Sequence, residues 1–284
     1  MRKRLFMAAA TLLTLGVFGV SAASAGGPTR CVGAEGPVTI EGDVIAGAGC
    51  NLSETTVEGN VTVEPNGSLT TNEGTTTVIT GNVQSNKATE ISLRANGSIG
   101  RNVQIQGTAG GSNLHNGTVK GNVQIQNSLA FVNVADETVG GNVQLQNNTG
   151  AGAVGCIATT GPGCAFVGVE RSTVGGNVLV GSNSLTATEA NEVFVEHDSV
   201  SHGNVQIQNN SAAEGSAFNG MLAIENQVGT NLEVRNNTAQ GGPTNIVEVS
   251  DNTVTNNLAC MNDKPPASGH GNTAKKKTGE CAGL

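Results

Sequence analysis

Apolar and polar residues alternate with a period of two along most of this chain, and the alternation itself recurs. Asn102-Val-Gln-Ile-Gln, Asn122-Val-Gln-Ile-Gln, Asn142-Val-Gln-Leu-Gln, Asn177-Val-Leu-Val and Asn204-Val-Gln-Ile-Gln are near copies. Weaker versions begin at Asp43, Asn60, Asn82, Asn231 and Asn257. Successive side chains of a strand project to opposite sides, so Val103 and Ile105, Val123 and Ile125, Val143 and Leu145, and Val205 and Ile207 define an inner face, and the amides an outer one. A second strand precedes each block. Phe131-Val-Asn-Val134 and Phe166-Val-Gly-Val169 reach Val-Gly-Gly-Asn after the same interval, at Val139 and Val174, and Val195 and Val249 hold the equivalent place later. Short strands between Gly and Asn corners, repeating about every twenty residues, predict an all-β fold. The expected architecture is a single parallel β-helix solenoid over residues 38–258, of roughly ten coils of about 20–27 residues with extruded loops. Coils stacked about 4.8 Å apart would give a rod of roughly 45–50 Å.

The repeat is uneven. It is regular between Asn82 and Asn142, then widens to 35 residues before Asn177. The widening predicts a loop insert over 150–165 containing Cys156, Gly161-Pro-Gly and Cys164. Later coils, near 27 residues, predict further loops, for instance around Ser211-Ala-Ala-Glu-Gly215. Both ends depart from the repeat as well. Arg2, Lys3 and Arg4, an apolar run from Leu5 to Val20, and Ala23-Ser24-Ala25 form the pattern of a cleaved signal peptide over 1–25. Residues 26–52 are expected to cap the first coil, and the Pro-, Gly- and Lys-rich segment 259–284 to fold over the last. Lys275, Lys276 and Lys277 there would discourage end-to-end pairing.

Cysteine placement fits export. All six follow the expected cut and fall into local couples, Cys31–Cys50, Cys156–Cys164 and Cys260–Cys281, whose short loops are the cheapest to close. No Cys-x-x-Cys occurs and no His stands at ligand spacing from a Cys, so neither metal nor cofactor is expected. Removing residues 1–25 leaves 11 basic against 22 acidic residues, which changes the net charge from −8 to −11. That balance disfavours nucleic acid and anionic membrane surfaces as partners. No second apolar stretch is long enough to span a bilayer. Trp and Tyr are absent, which suits a thin layered core of Val, Ile and Leu.

Two sets of residues could carry chemistry. The first is a flat outward grid of donors and acceptors: Asn102, Gln104, Gln106, Asn122, Gln124, Gln126, Asn142, Gln144 and Gln146, continued by Asn204, Gln206 and Gln208. Stacked amides can simply hydrogen-bond to each other along the rod. They can also meet a repetitive polar ligand such as a polysaccharide or cell-wall polymer. The second set is a weaker, charged one on the later coils: Glu170, Arg171, His197 and Asp198, with Glu192 and Glu196 one coil from Glu170. Carboxylates beside a basic residue are the equipment of polysaccharide lyases and hydrolases.

The Val-x-Gly-Asn-Val coils with Asn-rich corners resemble the secreted right-handed parallel β-helix proteins, the pectate-lyase-like superfamily in the broad sense. They are superficially similar to the coils of bactofilins, which are polymerising cytoskeletal β-helices. The likeness covers most of 38–258 and implies the fold; no lyase or hydrolase signature maps onto this chain residue by residue. The Cys couples, the exported start and the variable coil length depart from the bactofilin pattern. The reading is therefore a secreted or envelope-associated, non-catalytic structural or binding protein, monomeric or weakly self-associating, with extracellular polysaccharide or cell-wall polymer as partner. The alternatives are a β-helix lyase or hydrolase and a self-assembling surface filament.

Overall fold

A computed structural model describes residues 27–149, 153–154, 162–186, 190–212, 218–240 and 244–284. The expected signal segment 1–25 and Cys156 of the expected Cys156–Cys164 couple lie outside them. The described chain is a parallel β-helix. Three long sheets run the length of the rod, and each strand pairs with its counterpart one coil away. Sheet A holds twelve strands, from Thr29–Cys31 to Lys276–Gly279. Sheet B holds ten, from Cys50–Asn51 to Thr244–Ser250, and sheet C ten two-residue strands from Thr39–Ile40 to Thr253–Val254. A three-stranded sheet D joins only the later coils, through Ser184–Leu185, Ser211–Ala212 and Thr238–Ala239. Pairing is parallel throughout, except that Ala153–Val154 lies antiparallel to Pro162–Glu170. Stacking thus reaches beyond 38–258 at both ends, and the last part of the insert is already a strand of sheet B.

The repeat places like on like. In sheet A, Val83, Val103, Val123 and Val143 pair in register, followed by Val178, Val205 and Leu232, and every one is fully buried. Each such side chain contributes about 1.5–3 kcal/mol by leaving water. The sheet B register aligns Val134 with Val169, Val195, Ala223 and Val249, so Val195 and Val249 stand with Val134 and Val169, whereas Val139 and Val174 align with Val200, Val228 and Val254 in sheet C. Cys31–Cys50 and Cys260–Cys281 are closed, with Cα atoms 5.4 and 5.1 Å apart. They tie the first coils together and fix the final segment, where Lys276 and Lys277 lie on the terminal strand itself.

Candidate functional site

Each sheet A block opens on an Asn at a corner, and these Asn form one continuous ladder. The backbone N–H and Nδ2 of Asn122 both donate to Oδ1 of Asn102, at 2.9 and 3.1 Å. Asn142 does the same to Asn122, Asn177 to Asn142 and Asn204 to Asn177. The ladder ends at Asp43, reached through Asn82 and Asn60, and in the other direction at Asn257. The Gly before most of these Asn follows from this packing. A Cβ at Gly121 or Gly141 would stand 2.5 Å from the Oδ1 of Asn102 or Asn122. The carbonyl oxygens of Asn102, Asn122 and Asn142 each accept twice and that of Asn204 once, so all four are committed to holding coils together.

The Gln residues behave differently. Gln84, Gln104, Gln124 and Gln144 stack in register, as do Asn86, Gln106, Gln126 and Gln146 beside them. Gln126 Nε2 donates to Gln146 Oε1 at 3.3 Å. Among the described residues, the side chains of Gln104, Gln124 and Gln144 make no hydrogen bond to the protein. Gln104 and Gln124 line a shallow groove of about 600 Å³ with Thr62, Gln84, Asn86, Gln106 and Gln126, bordered by Ile45, Glu64 and Pro65; Gln144 continues their column one coil beyond it. The columns break at Leu179 and Gly181, which pair with Gln144 and Gln146. Past the break, Gln206 donates to Glu233 at 3.0 Å and Arg235 holds Gln208 Oε1 at 2.6 and 2.8 Å. A smaller groove of about 310 Å³ lies there, between Asn204, Gln206, Glu233 and Ala259.

The four charged candidates do not converge. Arg171 occupies a left-handed corner (φ 46°) and grips Asp136 through two bonds of 2.9 Å and Glu170 through one of 2.5 Å. Its guanidinium holds the Asp136 carboxyl below the usual range, and His115 adds to this at 3.1 Å. His197, at the next corner of the same column, faces Glu225 at 3.3 Å. Asp198 points inward and is 1% exposed. What does gather, on the outer side of sheet B, is Glu170, Glu192, Glu196 and Glu248, next to Phe166 and Phe194. Burial, then Glu192, Glu170 and Glu248, pushes the Glu196 carboxyl up to about 7, and burial followed by Glu170 raises Glu192. Such an acid keeps a proton near neutrality. Among the described residues no group of three or more His, Cys, Asp or Glu is arranged to hold a metal ion, and no helix is long and apolar enough to cross a membrane.

The sequence pattern does not reveal two further amide columns, which are buried. One runs through Ser128, Asn148, Asn183, Asn210, Asn237 and Asp263. The other runs through Ser172, Asp198, Asn226, Asn252 and Asn272. The preceding residue is left-handed in every case: Asn127, Asn147, Ser182, Asn209, Asn236 and Asn262 in the first, Arg171, His197, Glu225, Asp251 and Gly271 in the second. This turn is what swings the amide inward. The available signal was the Asn-Asn pair at a fixed place after the strand, as in Asn147-Asn148, Asn209-Asn210 and Asn236-Asn237. No protein-family model, curated protein or solved structure matches this chain.

Proposed function

We propose that this chain is an exported, non-catalytic rod that holds an extended, hydroxyl-rich neutral polymer, a polysaccharide or cell-wall glycan, along the Gln groove of sheet A. The observation that carries this reading is the pair of unengaged amides of Gln104 and Gln124 in a groove of about 600 Å³, with the equally unengaged Gln144 next in register. An amide offers donor and acceptor together, which suits hydroxyl groups repeated along a chain. The groove's one carboxylate, Glu64, is already bound bidentately by Arg30 at 2.6 and 2.7 Å, so the lining is close to neutral. Export is supported by the basic and apolar start and by the Cys31–Cys50 and Cys260–Cys281 bridges. The test is affinity electrophoresis or pull-down against neutral and acidic glycans and insoluble wall. The Gln104→Ala/Gln124→Ala/Gln144→Ala triple is expected to weaken binding at least about tenfold, roughly 1.4 kcal/mol. Equal binding by the triple variant removes the groove as the site.

One observation favours a second reading, glycan cleavage: the proton-holding Glu196 beside Glu170 and Glu192. Release of reducing ends or unsaturated products, lost in Glu196→Gln, would replace the binding reading with this one.

A further inference from the structure

Both buried columns contain a carboxylic acid where the pattern calls for an amide. In the second column, Asn226 Nδ2 donates to the Val195 carbonyl at 2.7 Å and to Asn252 Oδ1 at 3.0 Å. Asn252 Nδ2 repeats this with Ala223 and Asn272, at 2.7 and 2.9 Å. Asp198 stands one rung earlier. Its Oδ1 accepts from the Ser172 N–H at 2.7 Å, and its own N–H donates to Asn226 Oδ1 at 3.0 Å, as a rung should. Its Oδ2 takes the position of a donor. The column sets it toward Asn226 Oδ1 and the carbonyl of Val169, which pairs in register with Val195. In the first column Asp263 is the last amide position. Its Oδ1 accepts from the N–H and Nδ2 of Asn237 at 2.9 and 3.0 Å. Asn237 Nδ2 donates to the Ile207 carbonyl at 2.9 Å, and Val234 is the register partner of Ile207, so the repeat of the column makes the Val234 carbonyl the counterpart acceptor for the Asp263 Oδ2 position. Both Oδ2 atoms are buried with no hydrogen-bond partner.

An ionised oxygen among acceptors is repelled, whereas a hydroxyl there donates. We infer that Asp198 and Asp263 are proton-binding rungs, held as neutral acids whose Oδ2 proton completes each column, so that the later coils are firmer in mildly acidic surroundings than in alkaline ones. Asp43, which ends the outer ladder, is the contrast: it is exposed and only accepts, from the N–H and Nδ2 of Asn60.

The surrounding charges agree. Around Asp198 the carboxylates of Glu170 and Glu196 favour the proton; the neighbouring cations are directed elsewhere, Arg171 to Asp136 and Glu170, and His197 to Glu225. Around Asp263 the facing charge is the Glu280 carboxylate, and Lys264 beside it is exposed. Burial is the largest cause of both shifts: it raises Asp198 well above the ordinary range and Asp263 to about 6. A carboxyl raised on folding stabilises fully below the unfolded value of about 3.9, and that contribution is lost as pH rises through the folded value. For Asp263 the window runs from about 4 to about 6, and Asp198 extends it upward.

Thermal unfolding of the full chain between about pH 4.5 and 8.5 tests this. The wild type is expected to lose about 3–8 °C in Tm from pH 5 to pH 8. Asp198→Asn should leave Tm at pH 5 nearly unchanged and raise it at pH 8, and Asp263→Asn should remove the part of the fall that is complete just above pH 6. A flat wild-type profile, or an Asp198→Asn Tm lowered at both pH values, overturns the inference. If the variants do not fold, carbon NMR of the wild-type Asp carboxyls decides. Two that stay protonated above pH 5 support the inference, and complete ionisation of all of them by then overturns it.

Discussion

The coils from Asn82 to Gln146 and those from Asn177 to Met261 put the same side chain to opposite uses. The earlier coils repeat every 20 residues, and their Gln amides stand outside, those of Gln104, Gln124 and Gln144 without a hydrogen bond to the described protein. The later coils take 26 or 27 residues and add sheet D, and their Asn amides lie inside, fully bonded. The left-handed corner after the sheet A strand is common to both sets, at Gly107 and Asn127 as at Ser182, Asn209 and Asn236, and the residue that follows it faces inward, where backbone N–H and C=O groups must find partners. In the short coils hydroxyls fill this position: Thr108 and Ser128 hydrogen-bond to each other at 2.6 Å. In the long coils an Asn bridges a carbonyl of its neighbour and the next rung. The lesson is that amide content by itself says nothing about role; the direction of the preceding turn decides it.

Substitutions can break this contrast at graded cost. Asn210→Ala should be the most damaging. It removes the acceptor of the Asn183 N–H and Nδ2 and the donor to the Val180 carbonyl, all buried. Urea unfolding should show a loss of about 3–5 kcal/mol. Gly168→Ala comes next, because its Cβ would stand 2.3 Å from the Phe194 ring. The ring must move, at about 1–3 kcal/mol, and near-ultraviolet or NMR signals of Phe194 should shift. Asn122→Ala in the exposed ladder should cost about 1 kcal/mol by the same unfolding measurement, since water can replace its bonds. Gln124→Ala should stay within about 0.5 kcal/mol of wild type while still weakening glycan binding. A Gln124→Ala loss as large as that of Asn210→Ala would erase the distinction between free and committed amides.

Much of the fold was legible from the chain. The spacing of Val103, Val123 and Val143 identifies vertical neighbours, because a period-two strand inside a twenty-residue repeat has one register that keeps its apolar face inside. The local cysteine couples Cys31–Cys50 and Cys260–Cys281 follow from proximity in the chain. The candidate face was legible only in part. Asn102 and Gln104 are two residues apart in the same repeat, and nothing in their order says that one is spent on the ladder and the other is left free. Arg171 and His197 read as a possible catalytic pair, yet each is a corner residue tied to a carboxylate on an adjacent coil.

Sequence alone determined the period, the inward Val, Ile and Leu columns and the alignment of successive coils, because each depends on local alternation repeated at a fixed interval. Tertiary structure decided which amides, acids and glycines face one another across coils. Whether a polar group is satisfied, buried or available depends on neighbours some 20 to 38 residues away, and on the hand of the single turn that aims it.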